Sequence, residues 1–391
     1  MRSLIPLIGL WLLTGAAGAA AAAPEPVRVA VIEERSGTPA LGALHAEEGF
    51  RLGLDYATHG TVTVHGRPIL LAAIEGRGEA DAASLLIAAF GNGKADLAVA
   101  IGSSEAALAM LPVTATFKRI LLVAQAPASA LTGEKRSRYV FRTAASADQW
   151  ALAEVLALAR PELNFFVAAQ DTLDGRDAVD ALKAAWRRHA NGAFLIGSRL
   201  VPPRTADFGD AVSAEYEALH DLHGAKTLLT AWNAPDPPTR ALAATDPGRL
   251  GIRLALANDL DPNAPPPEAA LDGVASYFDG MPRNRVNDWL ISAWRHRYRE
   301  RPDGAAAEGM TAALALVAAL RAAPSAETEA LVATMEGLRF ETPKGEMIFR
   351  KEDHQALQAM YQFRTEPRPV SGAAPRPPEL VHAFTIPEIA P

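Results

Sequence analysis

The chain has 391 residues and no cysteine. Its stability therefore rests on core packing, without disulfides. Thiol nucleophiles, thiolate metal sites and a lipid-modified N-terminal cysteine are excluded with it. Charge is modest: charged residues make up 21% and the formal net charge is -7, which argues against a broad nucleic-acid-binding surface. Past the first segment, no stretch offers about 20 unbroken apolar residues, the length a membrane span needs. The chain also lacks the glycine fingerprint of dinucleotide binders, a phosphate-binding loop and a Gly-x-Ser-x-Gly nucleophile elbow. His45, His59 and His65 are too dispersed for a zinc motif, and His220 and His223 have no adjacent third ligand. No catalytic, cofactor-binding or metal-ligating residues are expected.

What is present begins at the N-terminus. Arg2 precedes an apolar run from Leu4 to Leu13, and small residues follow from Ala16 to Ala23. This is the order of a secretory signal peptide, assigned to residues 1–23 with cleavage near Ala23. The expected compartment is the periplasm, in soluble form after the leader is removed. Hydrophobic residues make up 49% of the chain, and the length is enough for two domains with sizeable cores.

Beyond the leader, short apolar runs alternate with helical patterns. Val27–Ile32, Ile69–Ile74, Leu97–Ile101 and Ile120–Ala124 read as strands. Helices are expected over 43–56, 80–90 and from 106 to about 110. Near-continuous apolar strands separated by helices predict a parallel sheet covered on both faces. The same grammar recurs at Leu163–Ala168, Ala193–Ile196, Thr227–Trp232, Leu250–Leu256 and Gly273–Phe278. The stretch from Tyr139 to Gln149 joins the two halves: a strand ends at Arg142, small residues follow, and Asp148 is the expected N-cap of the next helix. Arg142, with five donors, is expected to tie this junction together without touching ligand.

By Val140-Phe141-Arg142-Thr143 the chain resembles the type I periplasmic solute-binding proteins of the branched-chain amino acid ABC transporter family, the leucine/isoleucine/valine-binding-like proteins. The likeness also runs through the Ser36-Gly37 loop, Gly66-Arg67-Pro68-Ile69-Leu70-Leu71, Leu131-Thr132-Gly133, Asp207-Phe208, Ala293-Trp294-Arg295-His296-Arg297-Tyr298, Gly337-Leu338-Arg339-Phe340 and Asp353-His354-Gln355. The resemblance implies an α/β fold of two doubly wound lobes joined by three crossovers. Lobe 1 is expected over 27–143 plus 274–345, lobe 2 over 144–273 plus 346–366, and a Pro-rich tail over 367–391. It also implies Venus-flytrap closure on a small organic solute and delivery to an ABC permease in the inner membrane. The solute class is an amino acid or another small carboxylate or aromatic metabolite. The alternative is a sensor that presents its closed form to a membrane receptor. The protein is expected to be a monomer and not an enzyme.

The resemblance places the ligand residues on loops that leave strand ends. Ser103 and Ser104 stand where the family presents hydroxyls and backbone donors; each also reads as a helix cap. Glu105 reads as an amine receptor or as a charge favoured at a helix start. Ala126 and Ser129 fall in the second ligand loop of the first lobe, where Pro127 departs from the family pattern and supplies no N–H. Asp174 replaces a family tyrosine. Trp232 offers an apolar wall or a core side chain. Asp259 lies where an amino-acid binder presents an acid to the ligand amine.

Overall fold

The structure, a computed structural model, describes residues 24–35, 40–202, 209–232, 239–257, 269–278, 281–367 and 376–390. The chain runs β1 (Val27–Glu34), α1 (Ala40–Thr58), β2 (Thr63–Val64), β3 (Arg67–Gly76), α2 (Glu79–Gly91), β4 (Leu97–Ile101), α3 (Ser104–Phe117), β5 (Leu121–Val123) and β6 (Val140–Arg142). It continues with α4 (Ala147–Leu158), β7 (Leu163–Gln170), α5 (Leu173–His189), β8 (Phe194–Val201), α6 (Gly209–His220), β9 (Ala225–Ala231), α7 (Thr239–Ala244), β10 (Ile252–Ala257) and β11 (Leu271–Ala275). Then come α8 (Arg285–Tyr298), α9 (Gly304–Ala322), α10 (Thr328–Met335), β12 (Arg339–Thr342), β13 (Gly345–Phe349), β14 (Ala356–Leu357), β15 (Met360–Arg364), β16 (Glu379–Phe384) and α11 (Ile386–Ile389).

Lobe 1 is built on the sheet β2-β3-β1-β4-β5-β6, parallel except where β2 folds back on β3. All five residues of β4 are buried, which accounts for the unbroken apolar run Leu-Ala-Val-Ala-Ile. One face packs on α1, α8, α9 and α10, the other on α2 and α3. The Ala- and Gly-rich composition of α9 has a geometric cause. A Cβ at Gly309 would lie 1.8 Å from the Ala46 carbonyl oxygen, and one at Gly49 would lie 2.0 Å from that of Ala306. Helices α1 and α9 thus meet backbone to backbone. Helix α9 is long and apolar enough to cross a membrane, yet 72% of its most apolar window is buried inside the protein, as a core helix should be.

Lobe 2 carries the sheet β16-β15-β11-β10-β9-β7-β8, parallel except for β15, which runs antiparallel to both its neighbours, β11 and β16. Helices α4 and α5 cover one face, and α6 and α7 the other.

Several details differ from the sequence reading. The N-cap of α4 is Ser146, not Asp148: its hydroxyl accepts the Gln149 N–H while the Gln149 side chain accepts the Ser146 N–H. This reciprocal capping box satisfies two free donors, whereas Asp148 sits inside the first turn. Helix α3 does not stop near residue 110 but runs on through Pro112. Strand β11 begins at Leu271 and pairs in register with β10, so lobe 2 extends to Ala275. Met347, Phe349 and Ala356 belong to the lobe 1 core, so the chain returns to lobe 2 at β15 and not at residue 346. The segment expected as a tail contributes an edge strand, β16, to the lobe 2 sheet, and Phe384 and Ile389 are buried against β11 and β15.

The first and third crossovers are fastened to each other. The Arg142 N–H donates to the His354 carbonyl at 3.1 Å, and His354 Nδ1 donates to the Val140 carbonyl at 3.1 Å. The His354 ring stacks on Phe141 at 4.0 Å between centroids. Gln355 Nε2 donates to the carbonyls of Ala144 and Ala356, both at 2.8 Å.

Candidate functional site

In each sheet the chain builds outward in one direction and then reverses. In lobe 1 the reversal leaves β1 between β3 and β4; in lobe 2 it leaves β7 between β8 and β9. Open α/β sheets leave a crevice at the carboxyl ends of the strands flanking such a point. The lobe 1 crevice is edged by Glu34, by Gly102 to Glu105 and by the loop from Gln125 to Ser129. The lobe 2 crevice is edged by Asp171 to Asp174 and by Trp232, which follows β9.

The two edges meet. The Ser129 N–H, on the lobe 1 loop, donates to Asp177 Oδ2 on α5 of lobe 2 at 2.7 Å. Leu173, at the start of α5, packs against the lobe 1 cluster of α2 and α3. The Ala147 N–H donates to the Pro127 carbonyl at 2.8 Å. Burial raises the Asp177 carboxyl above its usual range, and the bonds from Ser129 oppose that shift.

The lobe 1 loop is held from behind by Arg142, which is 0% exposed. Its NH1 group donates to the Ala128 carbonyl at 2.5 Å and to that of Ala126 at 3.4 Å. Its NH2 group donates to Thr132 Oγ1 at 2.6 Å and its Nε to Gln355 Oε1 at 2.5 Å. Burial lowers the guanidinium to about 10, so it stays charged at neutral pH. Ala126 is held at φ +75°, a left-handed conformation that costs a non-glycine residue about 1–2 kcal/mol. Strain of this kind persists only where surrounding bonds impose it. Here those are the Arg142 bonds to the carbonyls of 126 and 128.

The expected ligand residues fall as follows. Ser103 caps α3, accepting the Ala106 N–H at 3.3 Å, and gives its own hydroxyl proton to Glu34 Oε2 at 2.6 Å. Ser104 is 0% exposed, and its Oγ accepts the Ala128 N–H at 3.1 Å, joining the two lobe 1 loops. Glu105 lies half-buried in the first turn of α3. Ala126 is buried, and Ser129 is the residue that reaches lobe 2. Asp174 lies in the first turn of α5, behind the Thr172 N-cap. Trp232 is 2% exposed and offers the crevice little surface. Asp259 lies outside the described residues, as do Ser36-Gly37 and Asp207-Phe208.

The sequence reading missed Glu33, Glu34 and Asp177. For the first two the signal was available, because two carboxylates and Arg35 follow directly on the apolar run Val29-Ala30-Val31-Ile32. Glu33 is fully buried and Arg35 donates to it at 2.8 Å, while the same arginine also binds Glu47 and Glu75, each at 2.7 Å. Burial outweighs that pairing and pushes the Glu33 carboxyl up to about 7. Among the described residues no group of three or more His, Asp or Glu is placed to hold a metal ion.

Comparison with known proteins fits this geometry. The family model described as periplasmic binding protein matches residues 26–372. An ABC-type branched-chain amino acid transporter structure from Rhodopseudomonas palustris is 36% identical, with 93% of this chain and 97% of that one aligned at a TM-score of 0.79. A second ABC transporter structure from the same organism is 34% identical over 85% of this chain and 94% of that one, with a TM-score of 0.51. A solute-binding protein from R. palustris in complex with benzoate is 19% identical over 92% of this chain and 96% of that one, with a TM-score of 0.76. No curated protein matches the chain.

Proposed function

We propose that this chain, which belongs to the periplasmic binding protein family, takes its solute between the carboxyl ends of the two sheets and closes on it about the crossovers at 142–146 and 354–358. The protein works in the periplasm, where it captures a solute and delivers it to an ABC importer of the membrane. It is a transport protein and not an enzyme. The solute is a small organic molecule, an amino acid or a related carboxylate or aromatic metabolite. The branched-chain amino acid transporter structure at 36% identity supports the first of these.

The observation that carries this reading is the bond from Ser129 of lobe 1 to Asp177 of lobe 2, made by the ligand loop that Arg142 braces. A loop braced on one lobe and bonded to the other lets contacts in the crevice alter the equilibrium between open and closed forms. Ser103, Ser104, Glu105, Ala126 and Ser129 belong to the lobe 1 wall and Asp174 to the lobe 2 wall, with Trp232 packed behind it. Ser103 and Ser104 act mainly by holding that wall in shape.

Native extraction followed by mass spectrometry identifies the retained solute. Small-angle scattering of stripped protein, with and without that solute at saturation, then reports closure. A fall in the radius of gyration is expected, and unchanged scattering would rule out hinge closure.

A further inference from the structure

At the lobe 1 switch point the N-terminus of α3 opens beside the end of β1. The first N–H groups of a helix are unpaired and favour an anion. Here the protein supplies that anion itself. Glu34 Oε2 accepts the Ser103 N–H at 2.9 Å and the Ser103 Oγ–H at 2.6 Å. Gly102 makes room for it: at φ +153°, a Cβ there would lie 2.7 Å from the Glu34 Cβ and 3.0 Å from its Oε2. What remains beside Gly102 and Ser103 is an indentation of about 10 Å³, no more than a water fills.

Two backbone donors of the neighbouring loop are also engaged. The Ala128 N–H goes to Ser104, the Ser129 N–H goes to Asp177, and Pro127 has none. Two of those acceptors, Glu34 and Asp177, are carboxylates. The nearby cations are spent: Arg35 is held by three glutamates and Arg142 lies buried behind the loop. Glu34 Oε1, by contrast, takes part in no hydrogen bond among the described residues.

We propose that Glu34 is a specificity-determining residue of the cleft. It fills the anion position of α3 with the protein's own carboxylate, so the solute meets lobe 1 through an ammonium or other cationic group. This rests on the cleft reading above and narrows its solute class to amine-bearing molecules. A free carboxylate presented to the same wall finds the N–H groups of Ser103, Ala128 and Ser129 taken and a like charge in place.

The test uses the full mature chain and thermal stabilisation by paired compounds of matched skeleton. Isoamylamine is set against isovalerate and benzylamine against benzoate, and the amine side is extended with diamines and amino-acid amides. Amines are expected to stabilise the wild type and their carboxylate counterparts to leave it unchanged. Glu34→Gln keeps an acceptor for Ser103 but removes the charge. It should weaken amine binding by about 10- to 100-fold, the range of one charge-assisted hydrogen bond. Glu34→Ala frees both Ser103 donors and should gain stabilisation by carboxylates, a change that a merely structural role for Glu34 would not produce. The proposal is overturned if no amine stabilises the wild type, if carboxylates stabilise it as well as amines do, or if Glu34→Gln binds amines unchanged. A carboxylate that both stabilises and compacts the wild type would keep the cleft reading and sink the charge assignment. A stabilising compound that leaves scattering unchanged at saturation would sink both.

Discussion

Replacing Arg142 tests whether one buried side chain holds both the hinge and the ligand loop. Arg142→Met keeps most of the apolar stem and removes the guanidinium. Three close acceptors then lose their charged donor inside the core: the Ala128 carbonyl, Thr132 Oγ1 and Gln355 Oε1. Each keeps one longer bond, from the Leu131 N–H to the Ala128 carbonyl at 3.2 Å and from Thr132 Oγ1 to Gln355 Oε1 at 3.4 Å. At about 2 kcal/mol for each charge-assisted bond lost, the loss comes to roughly 6 kcal/mol. Against it stands the relief of a buried charge. Burial pulls the guanidinium down from its ordinary range to about 10. At 1.36 kcal/mol per unit, that depression corresponds to roughly 3 kcal/mol regained when the charge is removed. The net expectation is a destabilisation of about 3 kcal/mol, a large share of the 5–15 kcal/mol that holds a typical protein folded. Urea unfolding followed by tryptophan fluorescence measures it, and the lower midpoint should come with an unchanged slope. Arg142→Lys should fall between the two, because an ammonium cannot reproduce the planar fork that reaches acceptors on three sides. Solute affinity should drop in both variants, as the strained Ala126 relaxes once its carbonyl anchor is gone. A Met variant within about 1 kcal/mol of wild type would refute the reasoning, because three lost charge-assisted bonds should outweigh the relieved charge by more than that.

Four further outcomes are expected. Gly309→Ala should lower the thermal midpoint in calorimetry, with a cost of about 3 kcal/mol or more, because its Cβ meets unyielding backbone at Ala46; a midpoint equal to wild type would contradict the close crossing of α1 and α9. Glu154 is 0% exposed and burial raises its carboxyl well above the usual range. An acid whose folded value is raised gives its full stability below the unfolded value and loses it as pH climbs towards the folded value, so Glu154→Gln should be more stable than wild type at neutral pH. That advantage should shrink as pH falls towards 4.5, and a pH-independent difference in urea midpoints would count against it. Asp177→Ala removes the acceptor for Ser129 and should shift the unliganded molecule towards the open form, seen as a larger radius of gyration and a solute affinity weaker by about 10-fold, the worth of one charge-assisted bond. Ser104→Ala leaves the Ala128 N–H unpaired and should cost about 1–3 kcal/mol in urea unfolding; no change would show that the two loops are not joined through this hydroxyl.

The parts of the fold carried by periodicity and composition were readable from residues alone. The unbroken apolar run of β4 and the near-continuous one of β7 require covered faces, and their alternation with amphipathic helices requires two parallel sheets. The ordered likeness from Val140 to Gln355 supplied the family. Local competition was harder to read. Ser146 and Asp148 are both good caps, and only the reciprocal bond with Gln149 decides between them. Residues 346–357 look as though they could join either lobe, and what assigns them is the packing of Phe349 on Phe141 and Phe340 at the lobe 1 core.

The site divides in the same way. Linear order was enough to pick out the loops after β4 and β5, because a strand that ends in small polar residues delivers them to the sheet's carboxyl edge. Side-chain roles within those loops depend on partners distant in the chain. Ser103 bonds a carboxylate 69 residues away, Arg142 an amide 213 residues away, and Ser129 a carboxylate 48 residues away on the other lobe. The sequence by itself determined the compartment signal, the two-lobed α/β plan and the loops that edge the crevice, because each follows from local pattern. Only the tertiary structure decided that the two serines are engaged within the protein and that Glu34 holds the helix end, because a hydrogen bond depends on which groups folding brings together.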